Sequence, residues 1–360
     1  MTHKVKQSLQ SIKEIRRASM LPASMHPVPL VIGATAITLI SFLLGLIAGS
    51  VPLSLYDVVR VLLGPADGTG DEMIRMILFY YRLPRLLLVF LVGAVLAVSG
   101  ALMQGIFQNP LAEPYTLGVA GGAALGAVFF LILTRSFHIW IPWALTSGAM
   151  AGGVLVLLFI LFSAFYRSGE SKSTLILWGV MMSSYTSALL TLALTFSGEA
   201  LREAFTWLMG SAANRTYTDL VPVLLGFSLS APLWVGRASV LDALSLGDPY
   251  AHSVGVRPER VRLSIGFAAS LMAAGAVASV GVVGFVGLIV PHLARHLVGW
   301  GHRRLLPFAF WLGGIFLLWA DLLARTVLAP RELPLGVVTA LVGVPVFFIL
   351  IKRERMRLNM

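Results

Sequence analysis

The feature that most constrains this chain is a series of long apolar blocks that hold almost no charge. A block of about 20 such residues, wound as a helix, crosses the hydrocarbon core of a bilayer and satisfies its own backbone hydrogen bonds there. Ten blocks qualify: residues 28–48, 86–107, 115–133, 141–162, 175–196, 220–235, 263–283, 285–298, 305–323 and 335–351. Two depart from a plain span: 115–133 is rich in glycine, and 285–298 is short and contains Pro291 and His292. Only 12% of the residues are charged, about half the share of a soluble domain. The expected fold is therefore all-α and polytopic. One transmembrane domain, 28–351, lies between a basic tail, 1–27, and a short C-terminal tail, 352–360.

Ten spans place both termini on one side of the membrane. With the N-terminus inside, 18 of the 27 Lys and Arg residues fall on the cytoplasmic side and nine fall outside. That asymmetry follows the positive-inside rule and assigns both termini to the cytoplasm. It also accounts for the net charge of +11 without nucleic acid as a partner. The run from residue 28 is too long for a signal-peptide core and reads as an uncleaved first helix. The nine external basic residues are Arg60, Arg75, Arg82, Arg85, Arg135, Arg202, Arg215, Arg325 and Arg331. A helix bundle does not need so many, which points to a partner for some of them.

Two polar segments are long enough to carry structure. One, residues 50–81, is external. The other, 237–262, is cytoplasmic and mixes Leu241, Leu244, Leu246, Ala251, Val254 and Val256 with Asp242, Asp248 and His252. That pattern predicts short amphipathic helices, broken near Gly247-Asp248-Pro249 and ended by Gly255. Such an element makes a docking knob; the alternative is a helix lying on the lipid surface. Small residues recur at four-residue spacing, as Gly118/Gly122/Gly126, Gly148/Gly152 and Gly275/Ser279. These rows predict close helix contact, within the subunit or across a dimer. Arg82-Leu83-Pro84-Arg85 before the second span echoes Arg257-Pro258-Glu259-Arg260 before the seventh. The two spans enter from opposite sides, as an inverted repeat requires.

Catalytic and energy-coupling motifs are missing. The stretch Gly169–Thr174 superficially matches a phosphate loop, but Ser171 and Tyr166 stand where its glycines belong. There is no cysteine, so disulfides and thiolate chemistry are excluded. His292 and His296 can share a helix face, but no carboxylate is near in sequence, and a packing or interfacial role is favoured over a metal site. Asp321 is the clear acidic residue within a span, and Arg325 at i+4 suits a local ion pair. Proton coupling through Asp321 would make the chain an ion-coupled secondary transporter. A membrane enzyme or scaffold is the third possibility, against which the absent catalytic clusters count.

Six segments then occur in one order: RLPR (82–85), GALMQGIFQNPLAEPYTLGVAGGAALGA (100–127), LSLGDPYAHSVGV (244–256), GFVGLIVPHLAR (284–295), HRRLLP (302–307) and ELPLGVVTALVGVPVF (332–347). Together they resemble the FecCD/BtuC-like permeases, the membrane subunits of type II ABC importers for iron-siderophore, haem or cobalamin. The resemblance implies ten spans and a second permease copy, as a homodimer or close heterodimer, with the pathway between the subunits. It also implies two ATP-binding ATPase subunits below and a periplasmic or lipoprotein substrate-binding protein above, in the cytoplasmic (inner) membrane. ATP hydrolysis would belong to those ATPase subunits; the chain itself would be no enzyme and would hold no cofactor or metal. By matching position, Leu244, Gly247, Asp248, Ala251 and Gly255 would serve ATPase coupling. Arg82, Arg85 and Arg325 would receive acidic residues of the binding protein. Ser171, Lys172, Ser173 and Thr174 would lie in a loop that narrows the pore, where Lys172 departs from the usual small polar residue. Iron chelate is the first expectation for cargo, ahead of cobalamin and haem.

Overall fold

The computed structural model describes residues 27–49, 51, 53–63, 69–141, 143–166 and 172–358. The basic tail up to residue 26 and the gate candidate Ser171 lie outside them. In chain order come α1 (Pro27–Ile47), the short α2 (Leu55–Leu63) and α3 (Thr69–Met76), and a π-helical turn (Ile77–Arg82) that runs directly into α4 (Leu83–Phe107). Next are α5 (Val119–Ser136), α6 (Ala144–Tyr166), α7 (Lys172–Thr195), the short α8 (Leu201–Leu208) and α9 (Leu220–Trp234). A short pair, α10 (Ala238–Ser245) and α11 (Asp248–Ser253), precedes α12 (Pro258–Val280), α13 (Val286–Val298), α14 (His302–Thr326) and α15 (Leu335–Leu358). Among the described residues no strand occurs.

Each apolar block falls on one of α1, α4–α7, α9 and α12–α15. Five helices are long and apolar enough to cross a membrane, and α9 makes a sixth when joined to α10 across a 69° bend. Shorter apolar stretches lie in α1, α6, α13 and α15. The 25 residues of α4 extend about 37 Å, more than the roughly 30 Å of hydrocarbon. The third block starts later than its composition suggests. Pro114–Leu117 forms a 3-10 turn, and Gly118, at φ 74°, breaks the chain's direction before α5 begins. The fourth-to-fifth connection is shorter than expected, because Lys172, Ser173 and Thr174 already form the first turn of α7. The C-terminal tail continues α15 as helix to Leu358.

The two helices with the echoed Arg/Pro starts, α4 and α12, are the central ones. Helix α4 packs against α12, α13 and α14, and α12 against α6 and α9. Helix α5 lies along α6, α7 sits outside α5, and α1 rests on α14. The contacts are glycine-mediated. A β-carbon on Gly100 would land on the Gly287 backbone, and one on Gly93 on the Gly313 carbonyl, so α4 touches α13 and α14 backbone to backbone. The rows Gly122/Gly126 and Gly148/Gly152 interlock in the same way between α5 and α6. These rows therefore act within the subunit. Some buried polar side chains donate to carbonyls across helices: Ser99 Oγ to Ala269 O at 2.6 Å, and Gln104 Nε2 to Gly287 O and Leu288 O, each at 3.2 Å.

Gly126→Leu has no room beside Gly148 and should destabilise the folded protein by about 1–3 kcal/mol. Gly33→Leu, where nothing lies within 4 Å of the added carbon, should be near neutral. Thermal unfolding in detergent compares the two, and equal midpoints would refute the packing argument.

Candidate functional site

Polar chemistry concentrates at the two ends of the bundle. At one end, α9 stops at Trp234, the chain turns through Gly236 (φ 78°), and α10 leaves at 69° to α9. Leu241 and Leu244 of α10 and Ala251 of α11 are fully buried against the bundle. Gly247 connects the two helices at φ 107° and ψ 158°, a conformation that only glycine adopts without strain. Gly255, at φ 82°, turns the chain into α12.

Three ties pin this element to separate helices. Gln108, at the left-handed cap of α4, donates Nε2 to the Leu244 carbonyl. Asp248 at the start of α11 pairs with Arg262 of α12, whose Nε also donates to Ile106 O at 3.2 Å. Arg262 is 4% exposed, so its charge depends on that pairing. Asp242 of α10 accepts the His302 backbone N–H at 2.9 Å and its Nδ1 at 2.6 Å. Because a carboxylate only accepts, Nδ1 carries the proton. Burial pushes the Asp242 carboxyl up, but the His302 hydrogen bonds outweigh it and hold the group below the usual carboxylate range. A carboxyl lowered on folding adds stability above its unfolded value of about 3.9 and loses it as pH falls through the folded value. This clasp therefore holds at neutral pH.

The residues assigned to coupling from sequence thus form the frame of the element. Leu244 and Ala251 pack it, Gly247 and Gly255 turn it, and Asp248 anchors it. Its open surface consists of Leu246, Tyr250 and Val254, which are 47–52% exposed. Exposed apolar residues on such a frame make it a candidate contact surface. Sequence alone could not separate these three from their buried neighbours, because both sets share the amphipathic pattern.

At the opposite end, Arg82, Arg85, Arg325 and Glu332 line a cavity of about 220 Å³. Arg82, 6% exposed, donates Nη1 to Leu46 O and to Ile47 O at 2.9 Å, and Nη2 to Val51 O. Arg325, 4% exposed, donates Nη2 to Gly45 O at 2.9 Å. Both guanidiniums cap the last carbonyls of α1, which have no partner in their own helix. Arg85 binds Asp321 at 2.8 Å and Glu332 at 2.9 Å. Asp321 is fully buried, and its i+4 partner Arg325 approaches no closer than 3.5 Å. Arg85, far away in sequence, is therefore the main partner of Asp321, where spacing alone favours Arg325.

Helix α7 has two unlike faces. Trp178, Met181, Met182, Tyr185, Leu189 and Leu192 face α5 and α6 across an apolar groove of about 1030 Å³. The opposite face bears Ser184, Ser187, Thr191 and Thr195, spaced by three and four and all exposed. Thr191 and Thr195 return their hydroxyls to the Ser187 and Thr191 carbonyls at 2.9 and 3.0 Å. Among the gate candidates, Thr174 is half-buried.

Asp248→Ala removes the carboxylate that pairs with a buried guanidinium and should cost about 1.5–3 kcal/mol, with added protease cleavage between α10 and α12. Wild-type stability in that variant would rule out the anchor. Arg85→Ala strips the buried Asp321 of its main partner and should cost about 3–5 kcal/mol even with no other protein present. Unfolding of the purified variant in detergent measures it.

The FecCD transport family matches residues 37–353. An ABC transporter permease protein, YvrB, of Bacillus subtilis (strain 168), itself described as uncharacterized, is 38% identical over 320 residues, covering 88% of this chain and 91% of its own. The Fe(3+) dicitrate transport system permease protein FecD of Escherichia coli (strain K12) is 38% identical over 325 residues, covering 89% and 99%. A solved inward-facing ABC transporter described as metal-chelate type superposes with a TM-score of 0.79 at 32% identity, covering 91% of this chain and all of that one. The chain belongs to the FecCD transport family and is a membrane-spanning permease of an ABC importer.

Proposed function

We propose that the chain is one half of a dimeric permease that imports an iron chelate, delivered by an external binding protein and driven by two separate ATPase subunits. The observation that carries this reading is the α10–α11 knob. It presents Leu246, Tyr250 and Val254 outward while Gln108, Asp248 and Asp242 tie it to α4, α12 and α14. A push on that surface is passed to three membrane helices, because each tie is a charge or amide bond to buried structure rather than a flexible loop. The knob faces the cytoplasm in this reading, with both termini there and the protein in the cytoplasmic membrane. The basic-residue asymmetry of the sequence supports that orientation.

The hydroxyl face of α7 suits the wall of an aqueous pathway shared with a second copy. Serine and threonine rows can hydrogen-bond a hydrated cargo and cost little where they return to their own helix. Lys172, Ser173 and Thr174 stand at the end of that wall and are gate candidates, as is Ser171, which lies outside the described residues. Arg82, Arg85 and Arg325 line the external cavity, where acidic groups of a binding protein would compete with Asp321 and Glu332 for Arg85 and with the α1 carbonyls for Arg82 and Arg325. The cargo follows from the iron-dicitrate and metal-chelate names of the relatives, with cobalamin and haem as the competitors.

Reconstitution in proteoliposomes with the ATPase and binding protein tests this directly. Uptake of a ferric chelate should require ATP, and Tyr250→Ala with Val254→Ala should lower it roughly tenfold, the effect of losing an interface anchor, while the protein stays folded. Uptake that persists without the ATPase, or that follows a proton gradient, would overturn the reading. Transport of cobalamin or haem in place of the ferric chelate would redirect the cargo alone.

A further inference from the structure

Helix α13 carries a pair of side chains that the transport reading leaves unused. His292 and His296 are four residues apart and share one helix face, with Nε2 atoms 3.3 Å apart and ring planes at 80°. Two imidazole nitrogens bound at about 2.0–2.1 Å to one tetrahedral ion lie about 3.3 Å from each other. The backbone of α13 thus already holds both rings at chelating distance. His292 is 5% exposed, whereas His296 is exposed. One ligand is buried, and the other faces outward, where water can complete the coordination.

The neighbouring guanidinium has partners of its own. Arg295, next in sequence to His296, donates Nη1 to Gln104 Oε1, and its guanidinium carbon lies 5.4 Å from the centre of the Trp300 ring. Among the described residues no third His, Cys, Asp or Glu gathers with the pair. A closed structural zinc site is therefore excluded, and an open two-imidazole site remains. Imidazole without carboxylate selects borderline transition ions over Mg²⁺ or Ca²⁺.

We propose that His292 and His296 form an open binding site for a divalent transition metal of the Zn²⁺, Cu²⁺ or Ni²⁺ class. Its place gives it consequence. The chain runs from the end of α13 through Gly299 to His302, which clasps Asp242 of the α10–α11 knob. The first turn of α13 holds Gln104 through the Gly287 and Leu288 carbonyls, and the same Gln104 holds Arg295. An ion bridging the second and third turns stiffens the stretch that joins the knob to α4. The binding claim stands apart from the transport reading, since it needs neither ATPase nor cargo.

The test uses the full chain, purified without a histidine tag, and titrated with Cu²⁺ alone. One Cu²⁺ per chain should bind with electron-spin coupling to two imidazoles. His296→Ala and His296→Gln, both at an exposed position, should reduce this to one imidazole and weaken binding by roughly tenfold or more. Zn²⁺ should displace the Cu²⁺ and raise the unfolding temperature of the wild type but not of the variants. A wild-type signal from a single imidazole, or variants that bind as the wild type does, would overturn the proposal and leave a hydrogen-bonded histidine pair.

Discussion

Backbone contact at glycine is the interaction on which the rest of this structure depends. Inside a bilayer, lipid tails are as apolar as leucine, so burying side chains gives little drive for helices to associate. Close approach, with its dispersion contacts, supplies the attraction instead. The pairs Gly93/Gly313, Gly100/Gly287, Gly122/Gly152 and Gly126/Gly148 bring backbones together where any β-carbon would strike a neighbouring carbonyl or backbone carbon. The first two clamp α4 to α13 and α14, which places α4 at the centre. The polar ties at both ends are anchored on that fixed centre.

The two ends use charge differently. At the arginine end, Arg82 and Arg325 complete the unfinished C-terminus of α1, and Arg85 neutralises a carboxylate that is fully buried. Charge there ties α1 to α4 and α14 and adds to the glycine contact between α4 and α14. At the knob end, each tie crosses from a short helix to a long one, so the short pair α10–α11 has no fold of its own apart from the bundle. Six- and eight-residue helices are too short to persist alone in water. Their rigidity comes from buried Leu241, Leu244 and Ala251 and from the Asp248–Arg262 and Asp242–His302 pairs. A surface made of Leu246, Tyr250 and Val254 is thereby held as firmly as a membrane helix.

Much of this was legible in the chain before any folding. The ten blocks became ten apolar helices because lipid allows few other backbone arrangements. The breaks at Gly247 and Gly255 were readable because local backbone conformation demanded glycine. The start of α5 was not, because Gly118 sits within an apolar run and nothing in composition marks its left-handed turn. The gate candidates Lys172, Ser173 and Thr174 read as loop from their polarity, yet polar residues are also good first-turn residues, and α7 begins with them. Arg85 and Arg325 read as surplus surface charge for the same reason that Asp321 read as a local partner of Arg325: sequence spacing sees only neighbours.

Sequence by itself determined the helical class, the ten apolar segments, the two polar segments and the family, all of which follow from local apolarity, local backbone freedom and ordered motifs. Only the tertiary structure decided which charges are buried, that Asp321 belongs to Arg85, that Leu244, Gly247, Asp248, Ala251 and Gly255 frame a surface made by Leu246, Tyr250 and Val254, and that two histidine rings lie with nitrogens 3.3 Å apart. The physical reason is range. Lipid and backbone sterics act on each segment alone, whereas ion pairs, ligand pairs and exposed faces exist only after packing has brought distant residues within a few ångströms.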